Sequence, residues 1–131
     1  MIGGNGWAGD LTQWKAYMPN DPRHQLVASW HNYDFAGCVT QACWDSQVAG
    51  VGGAAPVLLG EIGEIDCAHG YVDPLMAWAD AQAGAGISYL AWTWDTWPGC
   101  LGPTVITSYD GTPSSYGIGI RDHFVARFPP P

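Results

Sequence analysis

The chain has 131 residues, of which 47% are hydrophobic and 12% charged, a globular composition long enough for one domain and not comfortably for two. Its net charge of −8, with only Lys15, Arg23, Arg121 and Arg127 firmly cationic, argues against nucleic acid and anionic membrane surfaces, which both select clustered Lys and Arg. No segment approaches the roughly 20 apolar residues of a membrane span, and no basic region precedes an apolar stretch, so no signal peptide is expected in this chain.

In chain order, Met1 to Gly9 is glycine-rich and reads as a strand end running into a loop. Asp10 is a candidate N-cap for a short helical turn through Trp14 and Tyr17. Pro19 to Pro22 signals a turn. Gln25 to Trp30, QLVASW, is a short apolar run ending at His31. Gln41 to Ala49 suits a helix. After the flexible Gly50 to Ala55, Pro56 opens a second run, PVLLG, ending at Glu61. Val72 to Ala83 has apolar residues at helical spacing, with Gly84 and Gly86 beyond. Gly86 to Trp92, GISYLAW, is another strand. A loop rich in Trp, Pro, Gly and Thr follows. A last amphipathic helix spans Tyr116 to Phe128 and stops at Pro129 to Pro131.

This alternation of strands and helices argues for an α/β fold built of parallel βα units. Each strand delivers chemistry at its C-terminal end: His31 and Tyr33 from the first, Glu61 from the second, Trp92 from the third, with Trp94, Asp95 and Trp97 just beyond. In parallel α/β sheets that edge is where ligands bind. A carboxylate leaving an apolar strand is costly unless it is paired or working. Eight tryptophans in so short a chain suit a surface for sugar rings, which have apolar faces and polar rims.

Cys38, Cys43, Cys67 and Cys100 make an even set, which suits two disulfides and an extracellular protein. Three pairings are open. Cys38–Cys43, closing a small local loop, with Cys67–Cys100, tying two later loops, is favoured over the others and over free buried thiols. A metal role for Cys67 with His69 lacks paired CxxC knuckles.

The segments GGNGWAGDLTQW, SWHNY, PVLLGEIG and GISYLAWTW, in this order, resemble the C-terminal half of a family 5 glycoside hydrolase, the cellulase family. They are similar to that family's segment after barrel strand 5, its His-x-Tyr at strand 6, its nucleophile strand 7 and its strand 8 with a platform tryptophan. The resemblance implies the C-terminal half of a TIM (β/α)8 barrel, a single half-barrel domain over residues 1–131 running from the end of strand 5 through helix 8. It implies retaining hydrolysis of β-1,4-linked glucan, with Glu61 as nucleophile, His31 and Tyr33 lining the reacting site, and Trp92 under a glucose ring. Trp94, Asp95 and Trp97 would extend the substrate contacts, and no cofactor or metal is implied. The family's acid/base glutamate sits in an Asn-Glu-Pro motif that this chain does not contain. Glu61 and Glu64 are its only glutamates. Three residues apart on one extended strand, they would not flank a sugar from opposite sides. That leaves a non-catalytic carbohydrate-binding half-barrel as the alternative. A half-barrel also exposes open sheet edges, so a homodimer that closes it is expected.

Overall fold

The computed structural model describes residues 1–84 and 86–130; Pro131, the end of the proline tail, lies outside them. Four strands form one sheet: β1 (Ile2–Gly3), β2 (Ala28–Tyr33), β3 (Val57–Gly63) and β4 (Ser88–Ala91). All neighbours are parallel and the spatial order is the chain order, β1-β2-β3-β4. A single irregular helical turn, Asn5–Ala8, follows β1, and three longer helices connect or follow the other strands: α1 (Gln41–Val51), α2 (Val72–Asp80) and α3 (Ser115–Arg127). Two short 3-10 turns, Trp14–Tyr17 and Pro98–Cys100, sit in the longer connections.

Helix boundaries follow local chemistry. The Thr40 hydroxyl accepts from Cys43 N at the start of α1, and Ser114 Oγ accepts from Gly117 N at the start of α3. Each satisfies one of the free N–H groups of a first turn. Gly52, at φ 56°, ends α1 in the left-handed conformation that a residue with Cβ resists. α2 ends at Asp80, earlier than its apolar spacing suggests. The Asp10 reading needs correction. Its carboxylate accepts from Thr12 N and Thr12 Oγ1, closing a local turn, while the residue before the 3-10 turn is Gln13, which makes no side-chain cap. A short Asp side chain favours this nearer partner.

One face of the sheet is packed. Trp30, Leu59 and Ile62 point into a core with Val51 of α1, Val72, Leu75, Met76 and Ala79 of α2, and Tyr116 and Ile120 of α3. Trp78 stands edge-on to Trp30, ring centroids 6.3 Å apart, and tilts against Trp44 at 5.4 Å. Four of the eight tryptophans, Trp14, Trp30, Trp44 and Trp78, are therefore structural. The other face is open. Along β4 exposure alternates, with Ser88 and Leu90 exposed and Tyr89 and Ala91 half-buried against α2 and α3. Among the described residues no strand pairs with the outer side of β1 or of β4.

β2 and β3 run further than an apolar reading predicts. β2 carries on through His31, Asn32 and Tyr33, and β3 through Glu61 to Gly63. His31, Tyr33 and Glu61 stay in the strands because they partner one another, as described below. Asn32, fully buried, offers its own side-chain oxygen to Tyr33 N. The cysteines are joined as Cys38–Cys43 and Cys67–Cys100, with Cα separations of 5.5 and 5.4 Å.

Trp30 is fully buried and its indole N–H donates to Gly9 O. Replacing it with alanine should cost about 3–5 kcal/mol, a large share of the roughly 5–15 kcal/mol that holds a domain together. Urea unfolding of Trp30→Ala should show a midpoint far below that of the parent chain; an unchanged midpoint would mean this indole is not central to the core.

Candidate active site

The candidate site is built on an irregularity in β3. Trp30 pairs with Leu59, but the next residue of β2, His31, pairs with Glu61. On the other side Leu59 pairs with Tyr89, and Ile62 with Ala91. Between Leu59 and Ile62, β3 thus holds one residue more than each neighbour. Side chains alternate along a strand, so a regular β3 with Leu59 in the core would turn residue 61 toward the core as well. The bulge resets the alternation. Leu59 and Ile62 both reach the core, and Glu61 comes to stand beside His31 on the open side.

The two glycines around Glu61 make room for its partners. A Cβ at Gly60 would collide with Ser29 Oγ and lie 3.1 Å from His31 Nε2. One at Gly63 would lie 2.6 Å from Pro103 Cβ, 3.0 Å from Trp92 O and 3.1 Å from Tyr33 Cε1. The GEIG stretch is therefore a carboxylate flanked by two positions of close approach.

The Tyr33 hydroxyl donates a short hydrogen bond to Glu61 Oε2, and His31 Nδ1 lies 3.3 Å from the same oxygen. Both partners lie on Oε2, which leaves Oε1 unengaged among the described residues. Burial first, and then the Glu61 hydrogen bond and charge, push the Tyr33 phenol well above its ordinary range, so it remains a donor. Tyr33 is itself stacked on Phe35, 4.8 Å between centroids and 16° between planes. These side chains line an open groove of about 630 Å³ with Trp92, Trp7, Ala36 and Pro103. Among the described residues, Glu61 is the only carboxylate in that lining. The Trp92–Thr93 peptide is cis, and Trp92 N is anchored to Ile62 O at 2.9 Å.

The remaining sequence candidates lie apart. Trp94 is exposed, its ring against the Asp110–Gly111 turn. Asp95 Oδ1 accepts from Thr96 N at 2.7 Å and from the Tyr109 hydroxyl at 2.9 Å. Trp97 packs its ring over Gly102 and borders a separate cavity of about 240 Å³ beside Glu64 and the Cys67–Cys100 link. None of the three lines the groove around Glu61. Residues that sequence reasoning passed over do line it: Trp7, Phe35 and Pro103. Phe35 continues the every-second-residue series His31, Tyr33, Phe35, a signal that was available. Pro103 is brought in by a long loop and had none.

Glu64 plays a different part from Glu61. It is buried, and its Oε2 accepts from Tyr71 N at 2.8 Å and Val72 N at 2.7 Å, so it caps the N-terminus of α2 from the end of β3. Asp34 ties the neighbouring loops together: its N–H donates to Gly63 O, and its Oδ2 accepts from Ile65 N.

Residues 1–97 match the family profile described as cellulase (glycosyl hydrolase family 5). The chain belongs to this family. Among solved structures, it is similar to an endo-beta-1,4-glucanase from Xanthomonas axonopodis pv. citri carrying three substitutions, with a TM-score of 0.66 and 14% identity. The match covers 92% of this chain and 46% of that one, so this member of the cellulase family spans about half the length of that glucanase. At such identity the likeness speaks to the fold: four parallel strands, the last three each followed by a helix, half of a (β/α)8 barrel. No curated protein matches the chain. No helix among the described residues is long and apolar enough to cross a membrane.

Burial raises the Glu64 pKa above its ordinary 4.5, partly offset by the Val72 and Tyr71 N–H groups and reinforced by Asp66. The folded protein therefore holds this proton to higher pH than the unfolded chain does. The associated stability is complete below pH 4.5 and declines as pH rises through that value toward the raised one. Glu64→Gln keeps an acceptor for the α2 N–H groups and cannot ionise. Melting temperatures of the two proteins across this range should diverge in favour of the variant as pH rises; a constant difference would contradict the raised pKa.

Proposed function

We propose that the chain carries the nucleophile half of a retaining glycoside hydrolase acting on β-1,4-linked glucan. The observation that carries this reading is the Glu61 carboxylate, held by Tyr33 and His31 on one oxygen and free on the other, in a groove with Trp92. In the first step Glu61 Oε1 attacks the anomeric carbon as the bond to the leaving oxygen breaks and that oxygen takes a proton. In the second, water attacks the same carbon, gives up a proton and releases Glu61. The hydrogen bond from Tyr33 orients the carboxylate and disperses its charge. Trp92 offers an apolar face to a sugar ring. Two disulfides fit an oxidising compartment, so we place the protein outside the cell.

Such chemistry needs a second carboxyl group about 5–5.5 Å from the first. The groove lining supplies none, which favours a second reading, a glucan-binding half-barrel that does not hydrolyse. Hydrolysis of a soluble β-1,4-glucan and an aryl cellobioside separates the two. We expect turnover that disappears in Glu61→Ala and falls by on the order of 10²-fold in Tyr33→Phe. Equal turnover in Glu61→Ala would overturn the nucleophile role. Binding without any turnover would establish the second reading.

The two open edges, β1 and β4, are both parallel strands. A second copy, turned by a two-fold axis, would pair each β4 with the partner's β1 and close eight strands. We expect light scattering to give twice the 14.0 kDa chain mass. A well-folded monodisperse monomer would rule this closure out.

A further inference from the structure

The protein exposes 7543 Å² of surface at a mass of 14.0 kDa. A compact monomer of that mass exposes roughly 6,700 Å². The excess, roughly 800 Å², is what one partner buries in a stable dimer of ordinary size. Exposed apolar groups stand at both open edges of the sheet. Beside β1, Tyr17 and Met18 border a hollow of about 550 Å³ that runs along Ile2 and Gly3. Beside β4, Leu90 is exposed, and Phe124 and Phe128 flank Ser88 and Tyr89. Pairing β4 of one copy with β1 of another sets those two rings beside that hollow.

The same two-fold closure decides what the groove faces. β3 is the third strand of each copy, so the two β3 strands stand four places apart in a ring of eight, on opposite sides. The bulge turns each Glu61 toward the space between them. Eight strands about 4.8 Å apart and tilted by about 36° enclose a barrel roughly 15 Å across. Each glutamate reaches inward from its Cα through bonds of about 1.5 Å, which leaves the two carboxyl groups roughly 6–7 Å apart at full reach. Carboxyl pairs that flank a glycosidic bond span about 5 to 9.5 Å. Oε1, the oxygen not engaged by Tyr33 or His31, is the one available for that space.

We infer that the second carboxyl group of the site is Glu61 of the partner subunit, so that the same residue from two copies flanks one bond of a β-1,4-linked glucan. This rests on the functional reading above and extends it, by naming the group that the groove of one chain lacks. Two carboxyl groups that face each other hold one proton between them, because like charges at short range repel. The protonated one gives that proton to the leaving oxygen while Oε1 of the other attacks the anomeric carbon. Water then attacks the same carbon, passes its proton to the carboxylate just formed, and frees the attacking Glu61. The proton count is restored, and the symmetry lets either copy take either part.

Parent and Glu61→Gln chains, unfolded together in urea with disulfides intact and then refolded, test this by their hydrolysis of a soluble β-1,4-glucan. With equal amounts of each, only parent–parent pairs hold two carboxyl groups, so turnover should fall to about one quarter of that of the same total of parent chain; chains acting singly would retain about one half. Light scattering should give the variant the same doubled mass as the parent. Independently of any variant, serial dilution of the parent should lower turnover per chain together with the dimer mass. A loss in simple proportion to the variant added, or full turnover per chain from a monomer, would overturn this inference and leave the functional reading standing. A parent chain with no turnover at all would overturn it together with the hydrolytic reading it rests on.

Discussion

The candidate site depends on one extra residue. Parallel strands fix which side chains share a face, and a carboxylate in regular register after Leu59 would point at helices. The bulge at Gly60 and Glu61 lets β3 keep Leu59 and Ile62 in the core and still hand Glu61 to the open side. Such a bulge loosens the ladder locally, and the surroundings compensate. Tyr33 donates to the carboxylate, Asp34 joins the ends of β2 and β3, and Glu64 binds the end of β3 to the start of α2. Removing the bulge would not weaken the site by degrees. It would turn the carboxylate into the core, where a charge has no partner.

Around this point the aromatic residues divide by the face they occupy. Trp14, Trp30, Trp44 and Trp78 fill the layer between sheet and helices. Trp7, Trp92, Trp94 and Trp97 remain at least partly exposed on segments that follow β1 and β4. One residue type thus does two jobs, and the buried group fixes the exposed one. The indole of Trp30 holds the turn that presents Trp7, and Ile62, packed beside it in the core, accepts from the Trp92 amide. The packed layer is stiff because it is dense, and that stiffness sets the positions of groups on the far side of the sheet.

Much of this was legible beforehand. Apolar runs located β2, β3 and β4, and the rule that chemistry gathers at strand C-termini singled out His31, Tyr33, Glu61 and Trp92. Polarity does not mark the strand ends: His31 and Tyr33 stay in β2 because Glu61 reaches both, and Asn32 between them offers its oxygen to Tyr33 N. The bulge had no signature of its own, since GEIG reads equally as a strand ending. Trp94, Asp95 and Trp97 were grouped with the groove by nearness in sequence. Their actual places are set by packing on Gly102, nearby in the chain, and on the more distant Tyr109 and Asp110–Gly111 turn. Trp7 was hidden for another reason: a glycine-rich stretch announces a turn but not which residue the turn displays.

The sheet's sequential order has a further consequence. Every strand pairs only with its neighbours in the chain, so each ladder is completed soon after its second strand is made. No distant segment is needed to fill a gap between two strands. While it stays open, a sheet wound in this way has two unmet seams, and adding or removing a βα unit moves a seam without creating one. The structure behaves as a row of like units rather than a braid, and a row can be divided, extended or doubled at either end while its interior pairing stays intact.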